Sequence, residues 1–363
     1  MPSRRGFLGA LAAATLIPRP SWADVGSPAY LAAARLPDGS FALCGLDGSG
    51  HETFAIPLPD RGHAAAAHPT RPEAVAFARR PGRFALVIDC VSGDVTARLE
   101  APVGRHFYGH GVFSRDGDTL YTTENDFAAG EGRIGIWNRA DGYARIGEFA
   151  SGGTGPHDMK RMPGSDVLVI ANGGIETHPD RGREKLNLAV MQPNLSYLGA
   201  DGTLLETVEL PPEHRLNSIR HLAMRGDGLV GFAMQWQGDV TQHPPLIGTH
   251  QMGGTLRIGR AEDTDAGRMQ GYAGSVAFSR DGKHIAFTSP RGGACFGFDA
   301  KTLELVTRVD RPDVCGLASN REGLVLTDGL GWVSVMSDQL RPLVHHDKRQ
   351  WDNHLVSLAD LGD

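Results

Sequence analysis

The sequence predicts an all-β fold, a seven-bladed β-propeller whose closing blade is built from both ends of the chain. The first of three supporting observations is a histidine that recurs at the head of short apolar runs, with His63, His110 and His157 spaced 47 residues apart. The second is a repeated segment, Phe-Ser-Arg-Asp-Gly, at residues 113–117 and 278–282. The third is a content of 48 glycines and 22 prolines without a long helical period. A repeat of this length is typical of propeller blades, each a four-stranded sheet.

The repeated segment defines one position in each blade. An alternating strand that ends in an Asp-Gly turn is typical of the innermost strand turning into the second strand. Alignment of the other repeats on this frame gives seven equivalent positions, one per blade. These positions are His63, His110, His157, His221, Ser275, Cys315 and His354.

The outer strands follow each innermost strand as runs of alternating apolar and polar residues. They are predicted at 73–78, 84–90 and 95–99 in blade one, 119–123, 133–137 and 144–149 in blade two, 284–288, 295–298 and 305–309 in blade five, and 324–327, 332–336 and 342–344 in blade six. After His354 only residues 355–358 remain, so the last blade needs the strands at 30–36, 41–46 and 53–58. This closure hides strand edges that would otherwise be open.

The N-terminus predicts an export signal over residues 1–23 and a single propeller domain over residues 24–363. Arg4 and Arg5 match the twin-arginine pattern, residues 10–17 form a short apolar core, and residues 21–23 form a small-x-small cleavage site. We therefore expect a periplasmic protein that is exported already folded, a route used by many proteins that acquire a cofactor. No later stretch has the apolar length of a membrane-spanning helix.

The net charge and the cysteine content limit the classes of binding partner that we expect. The net charge is −6, and it becomes −9 once the three arginines of the signal are removed. An acidic chain without a basic run is a poor candidate for nucleic acid or anionic membranes, so small molecules, metal ions or proteins are the expected partners. The four cysteines lack Cys-x-x-Cys spacing, and their pairing stays open.

Blades three and four contain extra length. The stretches between Asn172 and Asn194 and between Trp236 and Thr255 are predicted to be long loops that cap one mouth of the channel. In the first stretch the candidate cap residues are Glu176, His178, Arg183 and Lys185. His178 and His243 stand beside prolines, where an ordered turn is the expected role.

Several segments resemble a known bacterial family. They are residues 171–179 (Ala-Asn-Gly-Gly-Ile-Glu-Thr-His-Pro), 185–188, 123–126, 218–222 and 234–238. These segments resemble the signatures of the family called domain of unknown function 1513, with a match from about residue 28 to the end. The resemblance implies a periplasmic propeller akin to quinoprotein amine dehydrogenase and YVTN-repeat propellers. It also implies a setting beside imelysin-type and haem peroxidase-like proteins in iron acquisition, without a biochemical activity.

The recurring histidines predict a metal site, because residues on the innermost strands of different blades converge at the axis. Neutral imidazole suits copper, iron, zinc and nickel. The predicted ligands are His63, His110, His157, His221 and His354, and the predicted partners around them are Glu124, Asn125, Asp158, Asn172, Gln235 and Cys315. Sulfur from Cys315 or Met159 would favour copper, whereas a carboxylate ligand from Asp158 or Glu124 would favour iron or manganese.

Two alternatives to a metal-handling protein stay open. In one, the histidines are structural and the propeller is a scaffold that binds a partner protein of a metal-acquisition system through the long loops. In the other, the propeller is an oxidoreductase of unknown substrate acting at the channel mouth. Sequence motifs of serine hydrolases, nucleotide-binding loops, c-type haem attachment and zinc proteases are absent.

Overall fold

The computed structural model describes residues 20–79, 82, 84–182, 184–337 and 339–359. Its strands form seven four-stranded antiparallel sheets arranged as the blades of a propeller. The predicted fold class is therefore confirmed. Over the described ranges, helix is limited to short 3-10 turns and one short α-helix, α1 (Asp263–Arg268).

The blades are numbered in the chain order of their innermost strands. In each blade the innermost strand precedes the other three strands in the chain, except in the closing blade. Blade one has β4 (Gly62–Ala67), β5 (Glu73–Ala78), β6 (Phe84–Asp89) and β7 (Val95–Glu100); blade two has β8 (Arg105–Phe113), β9 (Thr119–Asp126), β10 (Glu131–Asn138) and β11 (Ala144–Ala150). Blade three has β12 (Pro156–Arg161), β13 (Leu168–Asn172), β14 (Asn194–Leu198) and β15 (Leu204–Glu209); blade four has β16 (Asn217–Met224), β17 (Val230–Trp236), β18 (Ile247–His250) and β19 (Arg257–Gly259). Blade five has β20 (Ser275–Phe278), β21 (His284–Ser289), β22 (Ala294–Asp299) and β23 (Leu305–Asp310); blade six has β24 (Val314–Asn320), β25 (Gly323–Asp328), β26 (Trp332–Met336) and β27 (Leu340–His345).

The closing blade, blade seven, combines both ends of the chain as predicted. Its innermost strand is β28 (Gln350–Ser357), followed outward by β1 (Tyr30–Arg35), β2 (Phe41–Leu46) and β3 (Glu52–Leu58). Tyr30 lies opposite Ser357 in the antiparallel pairing of β1 with β28. This pairing closes the ring by hydrogen bonds between strands that lie about three hundred residues apart in the sequence.

The apolar core is divided among the seven interfaces between neighbouring blades. Each of the seven buried clusters found among the described residues combines side chains from two adjacent blades. Strand β1 shows why, because Tyr30, Ala32 and Ala34 pack against blade six whereas Leu31 packs against blade one. Successive side chains of a strand point to opposite faces, so each alternating strand supplies both of its neighbours.

Six of the seven innermost strands contain a β-bulge. The pairing register shifts in β4, β8, β12, β16, β24 and β28, and it is regular only in β20. A bulge adds an unpaired residue and turns its side chain away from the regular alternation, which is common next to binding sites. The axis of this propeller is thus lined by irregular strand segments.

The long segment of blade three lies at one mouth of the channel. Pro156, at the start of β12, lies opposite Asn172, at the end of β13. The segment 173–193 therefore emerges at the edge of the blade where the innermost strand begins. Residues 237–246 and 260–274, which follow β17 and β19, emerge at the same edge because strands in a blade alternate in direction.

One loop expectation in blade four is wrong. The stretch between Trp236 and Thr255 is not one loop, because β18 lies within it and pairs with β17, with Val230 opposite His250. Only residues 237–246 remain to extend over the mouth. The described residues of the segment 173–193 form no strand, as expected, and include two short 3-10 turns, Pro179–Arg181 and Leu188–Val190.

The end of the predicted export signal contacts the propeller. Residues 1–19 lie outside the described residues, whereas Trp22 starts a 3-10 turn, Trp22–Val25. The Trp22 indole N–H donates to the His68 carbonyl at 3.0 Å, and its ring packs at the interface of blades seven and one. Cleavage after Ala23 would remove this contact, and the boundary at residue 23 stays a prediction.

The four cysteines are buried free thiols, Cys44, Cys90, Cys295 and Cys315. They lie in the cores between blades, and no disulfide joins any two of them. In the described part of the chain, no helix has the length and apolar character needed to cross a membrane.

Candidate metal centre

Five histidine rings meet at the propeller axis. They belong to the innermost strands of five blades, and the rings form a closed circuit of neighbours. Their centroids are separated by 4.6 Å (His354 to His63), 5.0 Å (His63 to His110), 5.2 Å (His110 to His157), 4.9 Å (His157 to His221) and 4.9 Å (His221 to His354). The last of these contacts crosses the sector of blades five and six. His110 and His354 also lie 4.7 Å apart across the circuit, so the five rings form one compact cluster at the axis.

The bulges bring these rings to the axis. His157 is the extra residue between Pro156 and Asp158, and the other four rings lie in or beside the register shifts of their own strands. In β8 the bulge depends on Gly109, whose φ is +95° and whose added Cβ would lie 2.6 Å from Cδ2 of His63. A larger residue at this position would therefore be strained and would also displace the His63 ring.

Each of the five rings has a buried nitrogen without a hydrogen-bond partner. These atoms are Nδ1 of His63, Nε2 of His110, Nδ1 of His157, Nδ1 of His221 and Nε2 of His354. Among the other buried histidines, both ring nitrogens of His106 and of His250 have partners, whereas Nε2 of His68 also lacks one. A buried polar atom without a partner costs about 1–3 kcal/mol, so five such atoms in one cluster mark a candidate binding site.

Burial holds four of the five rings neutral. Burial first, and then the neighbouring cationic groups, lower the pKa of His221 to about 3. Burial likewise lowers the pKa values of His63, His157 and His354 well below the ordinary range. Neutral imidazoles keep a lone pair on one nitrogen, which is the form that binds metal ions.

Asp158 fixes the orientation of His110. Nδ1 of His110 lies 3.1 Å from Oδ1 of Asp158, and the backbone N–H groups of Met159 and Leu222 donate to the same carboxylate at 2.7 and 2.9 Å. Burial opposes ionisation of this carboxyl, but Lys160 and His110 lower its pKa well below the ordinary value. A carboxylate that accepts the Nδ1–H of a histidine leaves Nε2 as the donor to a metal ion.

The nitrogens fall into two groups with ligand-like spacing. His63, His110 and His354 form one group, and His110, His157 and His221 form the other, with one ligand atom from each residue and all three atoms within 4.8 Å of one another. His110 belongs to both groups. Because its Nδ1 faces Asp158, Nε2 is its one nitrogen left for an ion.

Three other predicted partners of the centre lie elsewhere. Glu124 is fully buried, but its carboxylate accepts from Arg145 at 2.6 and 3.0 Å and from Thr122 at 3.0 Å. Asn172 donates to the Ser151 carbonyl and to two side chains of β14. Gln235 donates to the Ala273 carbonyl at 3.1 Å. These contacts join strands and loops, and none involves the five rings.

The sulfur atoms also lie apart from the rings. The Cys315 thiol donates to the Trp351 carbonyl at 3.2 Å and to the Thr327 carbonyl at 3.5 Å, and burial raises its pKa. Met159 packs in the apolar core between blades two and three. A protonated, hydrogen-bonded thiol is not a metal ligand.

The cap residues support the segment 173–193 rather than the rings. Asn125 joins blade two to this segment, with its Nδ2 3.1 Å from both Nε2 of His106 and the Thr177 carbonyl. Glu176 donates its backbone N–H to Asn187, and Nδ1 of His178 accepts from the Asp180 backbone at 3.2 Å, which orders the turn after it as expected. Arg183 lies outside the described residues, and Lys185 is exposed.

Two cations near the centre were not identified from the sequence. Lys160 acts electrostatically on Asp158, His221 and His354, and Arg220 acts on His157 and His221. Arg220 is adjacent to His221 in the sequence, which is the one signal that could have marked it. Lys160 lies on β12 three residues beyond His157, and its proximity to other blades depends on the closed ring.

Solved structures support the fold alone. Hydrazine synthase from Kuenenia stuttgartiensis superimposes with a TM-score of 0.59 at 12% identity, covering 88% of this chain and 96% of that chain. A structure described as KlHsv2 with loop 6CD replaced by a Gly-Ser linker gives a TM-score of 0.55 at 14% identity, covering 85% and 92%. No curated protein matches the sequence.

The family signature covers most of the chain, although it begins later than the expected residue 28. Residues 56–358 match the family described as protein of unknown function (DUF1513), and this span includes all five histidines. The chain belongs to this family.

Proposed function

We propose that this protein binds one transition-metal ion, copper or iron, at the centre of its propeller and serves in handling or uptake of that metal in the periplasm. The observation that carries this proposal is the meeting of five imidazoles, each with a buried nitrogen that has no partner. Binding one ion to several of these nitrogens would replace the hydrogen bonds that they lack. The ion would be held by neutral donors in a water-poor channel.

The spacing suits an ion after a small contraction. Metal–imidazole bonds of about 2.0–2.1 Å place tetrahedral ligand atoms about 3.3 Å apart. The nitrogens of each group lie within 4.8 Å of one another, so modest ring rotations would bring them to this separation. Asp158 would meanwhile keep His110 in the tautomer that presents Nε2.

The shared histidine supports one ion for each chain. Both groups of three need Nε2 of His110, and a neutral imidazole whose Nδ1–H is donated to a carboxylate binds one metal ion. The two groups are therefore alternative or overlapping positions for the same ion, with four or five histidines available around it. We expect a stoichiometry of one.

The donor set favours copper over iron. A carboxylate ligand, which would favour iron or manganese, is not indicated, because Glu124 faces Arg145 and Asp158 lies behind His110. A sulfur ligand is not indicated either, because Cys315 is hydrogen-bonded elsewhere. An all-imidazole site binds divalent copper more tightly than divalent iron, following the general order of affinities for these ions.

The alternative functions use the same residues differently. A scaffold with structural histidines would need hydrogen-bond partners for those rings, as His106 and His250 have. An oxidoreductase would need the metal first, since no other redox group is indicated. The periplasmic setting is supported by the twin-arginine pattern at Arg4 and Arg5, which lies outside the described residues.

Metal content after native export tests the proposal. The full chain, purified from the periplasm, is expected to contain about one equivalent of copper or iron by elemental analysis. A variant with His110, His157 and His221 changed to Ala should lose it, whereas His51→Ala, which removes an exposed histidine, should retain it. Equal metal content in the triple variant and the wild type would refute the assignment.

A further inference from the structure

The 3-10 turn at the N-terminus, Trp22–Val25, lies against the interface of blades seven and one. The half-buried Trp22 ring packs on the apolar cluster that these two blades share. Its indole N–H donates to the His68 carbonyl of blade one at 3.0 Å. Gly26 ends the turn at φ +82°, and an added Cβ there would lie 3.2 Å from Cβ of Thr53 in blade seven. The turn is therefore held by contacts with both blades.

The peptide bond at the predicted cleavage site, between Ala23 and Asp24, lies inside this turn. Its carbonyl oxygen, on Ala23, accepts from the Gly26 backbone N–H at 3.3 Å. Its N–H group, on Asp24, donates to the Ser21 carbonyl at 3.0 Å. Both polar groups of the bond are thus already used within the turn.

Further hydrogen bonds close the turn around this bond. The Asp24 carboxylate accepts from the Ser21 backbone N–H at 2.7 Å and from the Ser21 hydroxyl at 3.3 Å. The Trp22 carbonyl accepts from the Ser27 backbone N–H at 3.0 Å. Opening the turn therefore breaks several hydrogen bonds and also withdraws the Trp22 ring from the apolar interface.

A closed turn is a poor substrate for a protease. Extended segments are the form that pairs with an enzyme's strands, and the carbonyl oxygen of the cleaved bond must reach donors of the enzyme. Ala23 and Asp24 are exposed, but the carbonyl and the N–H of their bond face partners within the turn. When opening and closing are fast relative to cleavage, the rate of cleavage follows the population of the open form.

We propose that the interface of blades seven and one binds Trp22 of the chain's own predicted export signal and protects the Ala23–Asp24 bond from cleavage until the turn opens. The twin-arginine pattern predicts export of the folded chain, so this segment would meet the processing enzyme in its docked form. Removal of the signal is then limited by release of Trp22, and the uncleaved chain persists after folding. This protection does not depend on the metal site.

Cleavage of the metal-free full chain by a purified signal peptidase tests the docking. The rate for each variant is divided by the rate for a peptide of residues 14–30 with the same substitution, which removes the enzyme's own preference at residue 22. The wild-type chain should be cleaved more slowly than its peptide by roughly tenfold or more. Trp22→Ala loses the packing and the hydrogen bond to His68, so its normalised rate should rise roughly tenfold.

The matched variant is Trp22→Phe, which keeps an apolar ring but loses the N–H that donates to the His68 carbonyl. Its normalised rate should lie between those of the wild type and Trp22→Ala. Thermal melting confirms that the propeller of each variant is folded. Equal normalised rates for the wild type and Trp22→Ala overturn the proposal, and so does a peptide that is not cleaved between Ala23 and Asp24.

Hydrogen exchange gives a second measurement that needs no enzyme. The Asp24 and Gly26 amides, which donate within the turn, should exchange slowly in the wild-type chain. In Trp22→Ala they should exchange roughly tenfold faster, because the turn opens more often. Rapid exchange of both amides in the wild-type chain would show that the turn is open in solution, which also overturns the proposal.

Discussion

Two arcs of the propeller, blades seven and one to four on one side and blades five and six on the other, differ in the side chain at the same position of the innermost strand. In blades seven and one to four the position holds histidine, and each ring has a buried nitrogen without a partner. In blades five and six it holds Ser275 and Cys315, and the Cys315 thiol donates to two carbonyls. Strand β24 is bulged like the histidine strands. The bulge alone therefore does not make a site, because the residue at the bulge must lack an internal partner.

The largest difference between the arcs should appear on removal of His110. His110→Ala deletes the residue that both histidine groups share, so we expect the metal affinity to fall by more than the roughly 10–100-fold that loss of an outer partner costs. Cys315→Ala, at the equivalent position of blade six, should leave it unchanged. Competition with a chromophoric chelator measures both affinities. Equal losses in the two variants would mean that the arcs do not differ in function.

The next effect concerns the carboxylate behind His110. Asp158→Asn keeps the size of the side chain but weakens the orientation of the ring, so the metal affinity should fall roughly 10–100-fold. Glu124→Gln is the matched control, since Glu124 is buried against Arg145 rather than a histidine. It should lower thermal stability without changing metal affinity. If Glu124→Gln weakens metal binding as much as Asp158→Asn, the distinction between these carboxylates is wrong.

A smaller effect should follow from crowding the ring of blade one. Gly109→Ala adds a Cβ that would lie 2.6 Å from Cδ2 of His63, whereas Gly104→Ala, at φ +83°, has nothing within 4 Å. Both changes should cost about 1–3 kcal/mol of unfolding free energy from backbone strain. Only Gly109→Ala should also weaken metal binding, by several-fold. Chemical denaturation and metal titration of both variants separate the two contributions.

The smallest expected effect concerns His68, a buried histidine that is not one of the five at the axis. Burial lowers the pKa of His68 to about 4, and its Nδ1 accepts from the Thr70 and Arg71 backbone N–H groups at 3.1 Å. The unfolded chain takes up a proton near pH 6.5 while the folded chain does not, so this contribution to stability is present above pH 6.5 and is lost as the pH falls towards 4.

His68→Asn keeps an acceptor for those backbone groups without titrating. The unfolding free energy of the metal-free wild type should fall by about 1 kcal/mol more than that of His68→Asn between pH 7 and pH 5. Urea denaturation at the two pH values measures this difference. Identical pH dependence in the two proteins would show that the ring at residue 68 titrates normally.

The circle of seven blades could be predicted from the sequence, because the sequence signals that mark each blade are local. The period of the blades, the Asp-Gly turns and the leftover strands at both ends identified the innermost position of every blade and the closing blade. The convergence of the histidines followed from that alignment. No local sequence signal marks the bulges of the innermost strands. These bulges decide which histidine nitrogens point to the axis.

The partners of the rings were harder to predict because they depend on side-chain direction and on contacts between blades. Asp158 could be proposed from its place beside His157, yet its carboxylate serves His110 of the preceding blade. Glu124 looked similar in the sequence, but its carboxylate lies against Arg145 of the same blade. Arg220 acts electrostatically on Lys185 because the segment 173–193 is hydrogen-bonded to blade four.

X-ray absorption spectroscopy of the metal-loaded full chain tests the central claim most directly. We predict nitrogen neighbours at about 2.0–2.1 Å, together with the outer scattering of several imidazole rings, at one ion per chain. The same spectrum is expected from Cys315→Ala. A sulfur neighbour at about 2.3 Å, or a shell without imidazole scattering, would contradict the assignment of the ion to the five histidines.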